Sequence, residues 1–203
     1  MTKRVHVVDD DASFRTAIER RLKRAGYNVA AYPSAQQLLD DLPQEDELGC
    51  VLLDVQIPGM TGPELQDRLR HLGSMLPIIF VTGIPDVRTT VKTIKAGAED
   101  FLTKPISSDK LLEAVERAIA NHERVRESKG KLDVARARVA RLTPREREVF
   151  DLITRGATNK GAARALGCTE RTVKAHRRQV MEKVEVKNLP ELVTFAERLY
   201  GDN

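Results

Sequence analysis

The chain has few aromatic residues and no long apolar run. Phe, Tyr and Trp account for 4% of the 203 residues, and tryptophan is absent. A module that stacks nucleic-acid bases on aromatic side chains is therefore not expected. The longest apolar stretch, residues 75–84, is interrupted by Pro77 and Gly83. It is shorter than the roughly 18 residues of a membrane-spanning helix, so the sequence predicts no membrane span.

Cysteine is also scarce. Cys50 and Cys168 lie 118 positions apart, a spacing that matches no metal-binding or redox motif. A signal peptide is not indicated, because Lys3 and Arg4 are followed after only four residues by three aspartates. The sequence therefore predicts a cytoplasmic protein with two reduced thiols.

The charge changes sign along the chain. The formal net charge is +4, but residues 1–123 carry −4, residues 124–141 carry +5 and residues 142–203 carry +3. An acidic first part and a basic second part indicate two domains with different partners, the second of which is suited to a polyanion.

Short apolar segments alternate with amphipathic helical patterns over the predicted first domain, residues 1–123. Alternation of this kind predicts a doubly wound α/β fold, flavodoxin-like, with a five-stranded parallel sheet in the order 2-1-3-4-5. The predicted strands are 5–8, 29–32, 50–53, 77–81 and 100–103, and the predicted helices are 13–25, 35–42, 64–72, 87–96 and 109–122.

Residues 124–141 are mostly charged or small and predict a helical linker. Leu111, Val125 and Leu132 belong to a stripe spaced by sevens, but the companion positions are poor core formers. A solvated connector is therefore favoured over a coiled coil. Gly130 weakens a helix by about 1 kcal/mol relative to Ala, and the sequence leaves open whether the linker is one helix or two.

The predicted third segment, residues 142–203, has an all-α pattern. Thr143, Pro144 and Glu146 combine a capping box with proline at the first helical position, which indicates the start of a helix. Three more helical patterns follow, and the second and third are joined by a short turn at residues 167–169. This arrangement is typical of a helix-turn-helix domain.

Acidic side chains lie at the ends of two strands that are neighbours in the predicted sheet. Asp9 and Asp10 end the first strand, and Asp54 ends the third. Three clustered carboxylates require a counter-charge, and Mg²⁺ prefers such oxygen ligands. Thr82 and Lys104 follow the fourth and fifth strands and add a hydroxyl and an ammonium. This combination suits phosphoryl transfer to a carboxylate.

The first domain resembles the receiver domains of two-component response regulators. Four stretches carry the resemblance, namely residues 8–11 (VDDD), 53–62 (LDVQIPGMTG), 80–83 (FVTG) and 101–105 (FLTKP). The resemblance implies that Asp54 is the phospho-acceptor. It also implies that Mg²⁺ is bound by Asp10, Asp54 and the backbone carbonyl of Gln56, with Asp9 orienting a ligand water.

The same resemblance assigns the remaining receiver residues. Thr82 and Lys104 are expected to hold the phosphoryl group, and Phe101 is expected to be the aromatic switch. Val91 and Lys95 are expected to contact a second copy of the chain when phosphorylation favours a dimer.

The third helix of the last domain is basic. Lys174 and Arg178 are four residues apart on one face, as in a helix that enters the major groove. The domain, with the motif LTPREREVF at 142–150 and TVKAH at 172–176, resembles the LuxR/NarL-type helix-turn-helix. The resemblance implies contacts to bases by Lys174, Ala175 and Arg178, and to phosphates by Asn159, Lys160, Arg171 and His176. Gly161-Ala162 departs from the family pattern.

The combination resembles the FixJ/NarL branch of response regulators. It implies a transcription regulator that accepts phosphate from a sensor histidine kinase, dimerises and binds double-stranded DNA. No enzymatic activity is expected beyond Mg-dependent phosphorylation and dephosphorylation of the chain itself. The alternatives are a Mg-dependent aspartyl phosphatase, for which Gln56 stands where a second carboxylate is needed, a phosphate-relay or protein-interaction module, and a vestigial acidic site.

Overall fold

The fold is taken from a computed structural model, which describes residues 3–43, 47–84, 91 and 93–201. The chain divides into two compact units, Met1–Arg126 and Glu127–Asn203. The functional boundaries at residues 123 and 141 remain a prediction. Among the described residues, no helix combines the length and the apolar character needed to cross a membrane.

The first unit is built on a five-stranded sheet. All the pairings are parallel, and the strand order is β2-β1-β3-β4-β5, which confirms the predicted fold. The strands are β1 (Arg4–Val8), β2 (Asn28–Tyr32), β3 (Gly49–Asp54), β4 (Ile78–Thr82) and β5 (Asp100–Thr103). β3 and β4 are buried along their whole length, as expected for central strands covered on both faces.

Helices cover both faces of this sheet. They are α1 (Ala12–Arg24), α2 (Ala35–Asp40), α3 (Gly62–His71) and α4 (Ser108–Ala140). Ile18 of α1 and Leu111 of α4 belong to the apolar core on one face. Leu38 of α2 and Leu65 of α3 belong to the core on the other. The sheet is thus doubly wound.

Two predicted helices differ in extent from the structure. α2 ends at Asp40 instead of residue 42, because Pro43 disfavours helical geometry at the residue before it. Most of the helix predicted over 87–96 lies outside the described residues, although Val91 and residues 93–95 are helical.

The predicted linker continues the helix that precedes it. α4 is a single helix of 33 residues that contains Gly130. One glycine costs about 1 kcal/mol relative to alanine, which does not end a helix flanked by good helix formers and free of proline. The sequence predicted helix on both sides of residue 123 but left the continuity open.

The second unit holds four further helices. They are α5 (Pro144–Thr154), α6 (Asn159–Leu166), α7 (Glu170–Val184) and α8 (Leu189–Tyr200). Val173, Val180 and Val184 of α7 are buried in the core of this unit, as their spacing predicts. Both cysteines are free: Cys50 is fully buried in β3, and Cys168 is half-buried between α6 and α7.

Candidate functional site

Three carboxylates meet at the carboxyl edge of the sheet. Asp9 follows β1 and Asp54 ends β3, and these two strands are hydrogen-bonded neighbours. One carboxylate oxygen from each of Asp9, Asp10 and Asp54 lies within 4.8 Å of the others. Asp9 and Asp54 are buried, whereas Asp10 is exposed to solvent. The strand ends therefore bring together the acidic residues predicted from the sequence.

Lys104 is the counter-charge of the cluster. It follows β5, and the peptide bond to Pro105 is cis. Its Nζ lies 2.6 Å from Asp9 Oδ2 and 2.6 Å from Asp54 Oδ2. Burial acts to lower the pKa of Lys104, but the hydrogen bonds to Asp54 and Asp9 outweigh it, and the pKa lies above its ordinary value. Lys104 is therefore charged at neutral pH.

Backbone donors hold the second oxygen of each buried carboxylate. The N–H of Asp11 donates to Asp9 Oδ1 at 2.9 Å, and the N–H of Gln56 donates to Asp54 Oδ1 at 2.9 Å. Burial raises the pKa of Asp9, against the opposing effects of Lys104 and Asp11. The side chain of Gln56 is exposed. Asp54 is thus oriented by contacts on both of its oxygens.

The predicted hydroxyl and aromatic groups lie on the two strands beyond β3. Thr82 is buried at the end of β4, and its hydroxyl donates to the carbonyl of Ile84 at 3.1 Å and accepts from the N–H of Ile84 at 3.2 Å. Phe101 is half-buried in β5, with its ring centroid 6.4 Å from that of Phe80. Neither side chain is tied to the carboxylates by a hydrogen bond or ring contact in the described part of the chain.

The donor set fits a divalent cation. Three carboxylates face one ammonium, so the cluster retains excess negative charge. All the available ligand atoms are oxygens, which hard cations such as Mg²⁺ prefer. The exposure of Asp10 leaves the cluster accessible from solvent.

Two contacts at this edge were not predicted from the sequence. The ring centroid of Phe14 lies 4.1 Å from Lys104 Nζ, and Arg15 donates from Nη1 to the carbonyl of Asp9 at 2.6 Å. Both residues belong to the first turns of α1, which starts at Ala12 after its N-cap, Asp11. The available signal was the short distance along the chain between β1 and α1, which places the first turns of the helix beside the edge.

The second unit presents a basic helix face. Lys174, Ala175 and Arg178 of α7 are exposed, as is Arg171 near its start. Val173 and Val180, on the opposite side of the helix, are buried. The residues expected to contact bases therefore lie on the solvent face of the helix.

A shallow groove of about 390 Å³ lies beside this face. It brings together the predicted residues Asn159, Lys174 and Arg178 with Arg177 and Lys187, which the sequence analysis did not select. Arg177 Nη1 donates to Asn159 Oδ1 at 3.4 Å.

The other predicted contact residues lie outside this groove. Lys160 is exposed and His176 is half-buried, and neither lines the groove. On the first unit, Val91 and Lys95 are both exposed. Each of these positions is thus available at least in part to a partner.

Two sequence families match the chain, one in each part. The response regulator receiver domain matches residues 5–116. The luxR family of bacterial regulatory proteins matches residues 140–196. The matches coincide with the acidic edge and with the basic helix.

Characterised relatives match over almost the whole chain. The transcriptional regulatory protein FixJ of Bradyrhizobium diazoefficiens is 40% identical over 194 residues, covering 96% of this chain and 94% of FixJ. The solved structure of response regulator StyR superposes with a TM-score of 0.85 at 37% identity, covering 98% of this chain and all of StyR. Full-length FixJ from B. japonicum gives a TM-score of 0.60 at 39% identity and covers 98% of each chain.

The two family matches, the shared strand order and the full-length relatives agree. Such relatives are transcription regulators, not enzymes that turn over a substrate. The chain belongs to the response regulators that join a receiver domain to a LuxR-type DNA-binding domain, and it is a regulator of transcription.

Proposed function

We propose that Asp54 accepts a phosphoryl group from a sensor histidine kinase, and that this event drives dimerisation and binding to double-stranded DNA in the cytoplasm. The observation that carries the proposal is the geometry of Asp54, whose carboxylate contacts Lys104 at 2.6 Å within a cluster of three acidic residues. The proposal joins this site to the exposed basic face of α7 in the same chain.

The transfer requires little from the protein beyond orientation and charge. An oxygen of Asp54 attacks the phosphorus of a phosphohistidine, a P–O bond forms, and the P–N bond to the imidazole breaks. Lys104 then pairs with a phosphoryl oxygen, and the Thr82 hydroxyl donates to another. The carboxylates of Asp10 and Asp54 and the carbonyl of Gln56 would hold Mg²⁺, with Asp9 orienting a water. When bound, the ion neutralises charge on the transferring oxygens.

The contacts of Thr82 suggest how the event spreads. Its hydroxyl is engaged with the backbone of Ile84, so donation to a phosphoryl oxygen requires these two hydrogen bonds to break. Phe101 is only half-buried beside Phe80 and can move inward when Thr82 shifts. Val91 and Lys95 would then form contacts in the dimer, since both are exposed.

Two receivers in a dimer place two basic helices on one DNA molecule. Lys174, Ala175 and Arg178 would contact base edges in the major groove. The phosphate contacts would come from Asn159, Lys160, Arg171 and His176. Because the two halves bind together, the affinity for a two-fold site exceeds that of either half.

The first experiment measures mass and DNA binding with a phosphoryl mimic. Wild type, Asp54→Asn and the control Asp67→Asn, an exposed carboxylate on α3, are each incubated with beryllofluoride and Mg²⁺ and analysed by light scattering. Wild type and Asp67→Asn are expected to double in mass and to bind DNA more tightly. Asp54→Asn is expected to respond in neither assay, and equal responses of all three proteins would refute the proposal.

The second experiment separates DNA binding from binding to a protein partner. Substitution of Arg178 by Ala should weaken binding to the preferred sequence by about 1–3 kcal/mol and relax specificity. Lys160→Ala should weaken binding to all sequences and reduce the salt slope by about one unit. The control is Lys110→Ala in the receiver unit, and a salt-independent affinity would favour a protein-interaction module.

A further inference from the structure

Lys104 has a third contact besides its two carboxylates. An ammonium group carries three N–H donors, and Asp9 and Asp54 each accept a hydrogen bond from Nζ at 2.6 Å. The ring of Phe14 lies 4.1 Å from the same nitrogen, well inside the distance at which a cation is attracted to an aromatic face. The ammonium is therefore held by two charged groups and one neutral group.

Phe14 is fixed independently of the carboxylates. Its N–H donates to Asp11 Oδ1 at 3.2 Å within the cap of α1. Its side chain packs against the apolar core that includes Ile18 and Ile106. The ring is thus anchored by the helix start and by the core, and its position does not depend on the charge state of the acidic cluster.

The charged partners of Lys104 change in the proposed reaction, whereas the ring does not. Phosphorylation converts the Asp54 carboxylate into an acyl phosphate, so the ion pair to Asp54 Oδ2 must be replaced by one to a phosphoryl oxygen. A bound cation would also compete with Lys104 for Asp9 and Asp54. The neutral face of Phe14 attracts the ammonium both before and after these changes.

We infer that Phe14 is a positioning residue of the receiver site, which holds the ammonium of Lys104 in place through its aromatic face while the charged partners exchange. The inference rests on the proposed function of Asp54 and deepens it. The rival explanation is that the ring only fills space at the edge of the core, in which case its electronic character is irrelevant.

The aromatic face can be removed with little change in apolar volume. In the full-length chain, Phe14→Leu should slow phosphorylation by a small-molecule phosphodonor about threefold to tenfold, because the cation–π attraction is lost. Phe14→Tyr keeps the ring face and should stay within about twofold of wild type. Thermal unfolding of the three proteins controls for packing, and the rates should not follow the small differences in Tm.

A graded series tests the electronic character of the ring directly. Mono-, di- and trifluorophenylalanine at position 14 withdraw electrons from the ring face with little change in shape, so each added fluorine weakens attraction to a cation. The phosphorylation rate should fall stepwise along the series. A rate that is constant along the series, or a Phe14→Leu protein as fast as wild type, overturns the inference.

The contact itself can be measured without phosphorylation. The Lys104 ε-methylene protons, assigned by their loss in Lys104→Arg, should resonate upfield in wild type because of the Phe14 ring and move downfield in Phe14→Leu. An unmoved resonance overturns the inference even if Asp54 is phosphorylated. A moved resonance in a protein that accepts no phosphate supports the contact and contradicts only the proposed function.

Discussion

Gly62 is the residue on which the backbone around Asp54 depends most closely. It begins α3, and a β-carbon there would lie 2.5 Å from the carbonyl oxygen of Asp54 and 2.8 Å from Cε1 of Phe80. Real β-carbons do not approach so closely, and the nearest atom belongs to the backbone, which cannot rotate away. The absence of a side chain at Gly62 thus allows α3 to start directly beside the acceptor.

A Gly62→Ala substitution should therefore destabilise the receiver unit by about 1–3 kcal/mol and slow phosphorylation of Asp54 by displacing its backbone. Urea unfolding and a phosphodonor assay measure the two effects. Gly130→Ala is the matched control, since a β-carbon there meets nothing within 4 Å and should stabilise helix α4 by roughly 0.5–1 kcal/mol. Two variants of equal stability would contradict this account.

Single residues also show where sequence reasoning reaches its limit. Asp9, Asp54 and Lys104 were predicted together because each follows a strand, and parallel strands bring their carboxyl ends to one edge. His6 was assigned to an apolar strand, yet it is buried with its Nε2 2.5 Å from Glu47 Oε1. The partner lies 41 positions away, and neither periodicity nor local spacing reports a contact of that kind.

At the scale of elements, Glu146 joins two helices of the DNA-binding unit. It accepts at Oε2 from the Thr143 N–H at 2.8 Å, which completes the capping box of α5. The same oxygen lies 2.6 Å from Nζ of Lys183 in α7. The sequence predicted the capping box from its local spacing, but the ion pair across 37 positions was not visible in it.

Glu146→Gln should destabilise the second unit by about 1–3 kcal/mol at neutral pH, because a charge-assisted hydrogen bond is lost. The hydrogen bond from Lys183, followed by that from Thr143, lowers the pKa of Glu146 below 4.5. Its stabilisation is therefore complete above pH 4.5 and disappears as the pH falls through the lowered value in the folded state.

Urea unfolding of wild type and Glu146→Gln from pH 7 downward measures this difference, which should shrink on acidification. Glu148→Gln is the control, since its partner Arg145 and the carboxylate are both well exposed. It should change stability by less than about 0.5 kcal/mol at every pH. A difference for Glu146→Gln that is constant with pH would exclude the ion pair as its cause.

The short helix α6 contains the glycine at which the chain departs from its family. Thr158 caps this helix by accepting from the N–H of Gly161 at 3.1 Å, and a β-carbon on Gly161 would lie 3.4 Å from Thr158 Oγ1. Gly161→Ala should raise the Tm of the second unit, corresponding to roughly 0.5–1 kcal/mol. Gly156→Ala should lower it, because Gly156 has φ of +88°. The two variants are compared by circular dichroism, and shifts of the same sign would be inconsistent with this explanation.

At the scale of the whole molecule, the sequence was sufficient for the architecture but not for the length of its longest helix. The alternation of buried strands and amphipathic helices predicted the strand order 2-1-3-4-5, which the structure has. It did not decide whether residues 108–140 form one helix or two, because Gly130 carries a cost similar to the gains of its neighbours. Patterns with a large energetic margin were predicted, and those with a small margin were not.

The two cysteines give each unit its own chemical reporter. Cys50 has no exposed surface, and burial raises the pKa of its thiol, whereas Cys168 is partly accessible. A thiol reagent should therefore modify Cys168 in the native protein and reach Cys50 only when the receiver opens. Beryllofluoride with Mg²⁺ should slow labelling of Cys50 alone, since a ligand of the folded state reduces opening. Peptide mass spectrometry reads both rates from one sample, so unfolding of one half can be timed without separating it from the other.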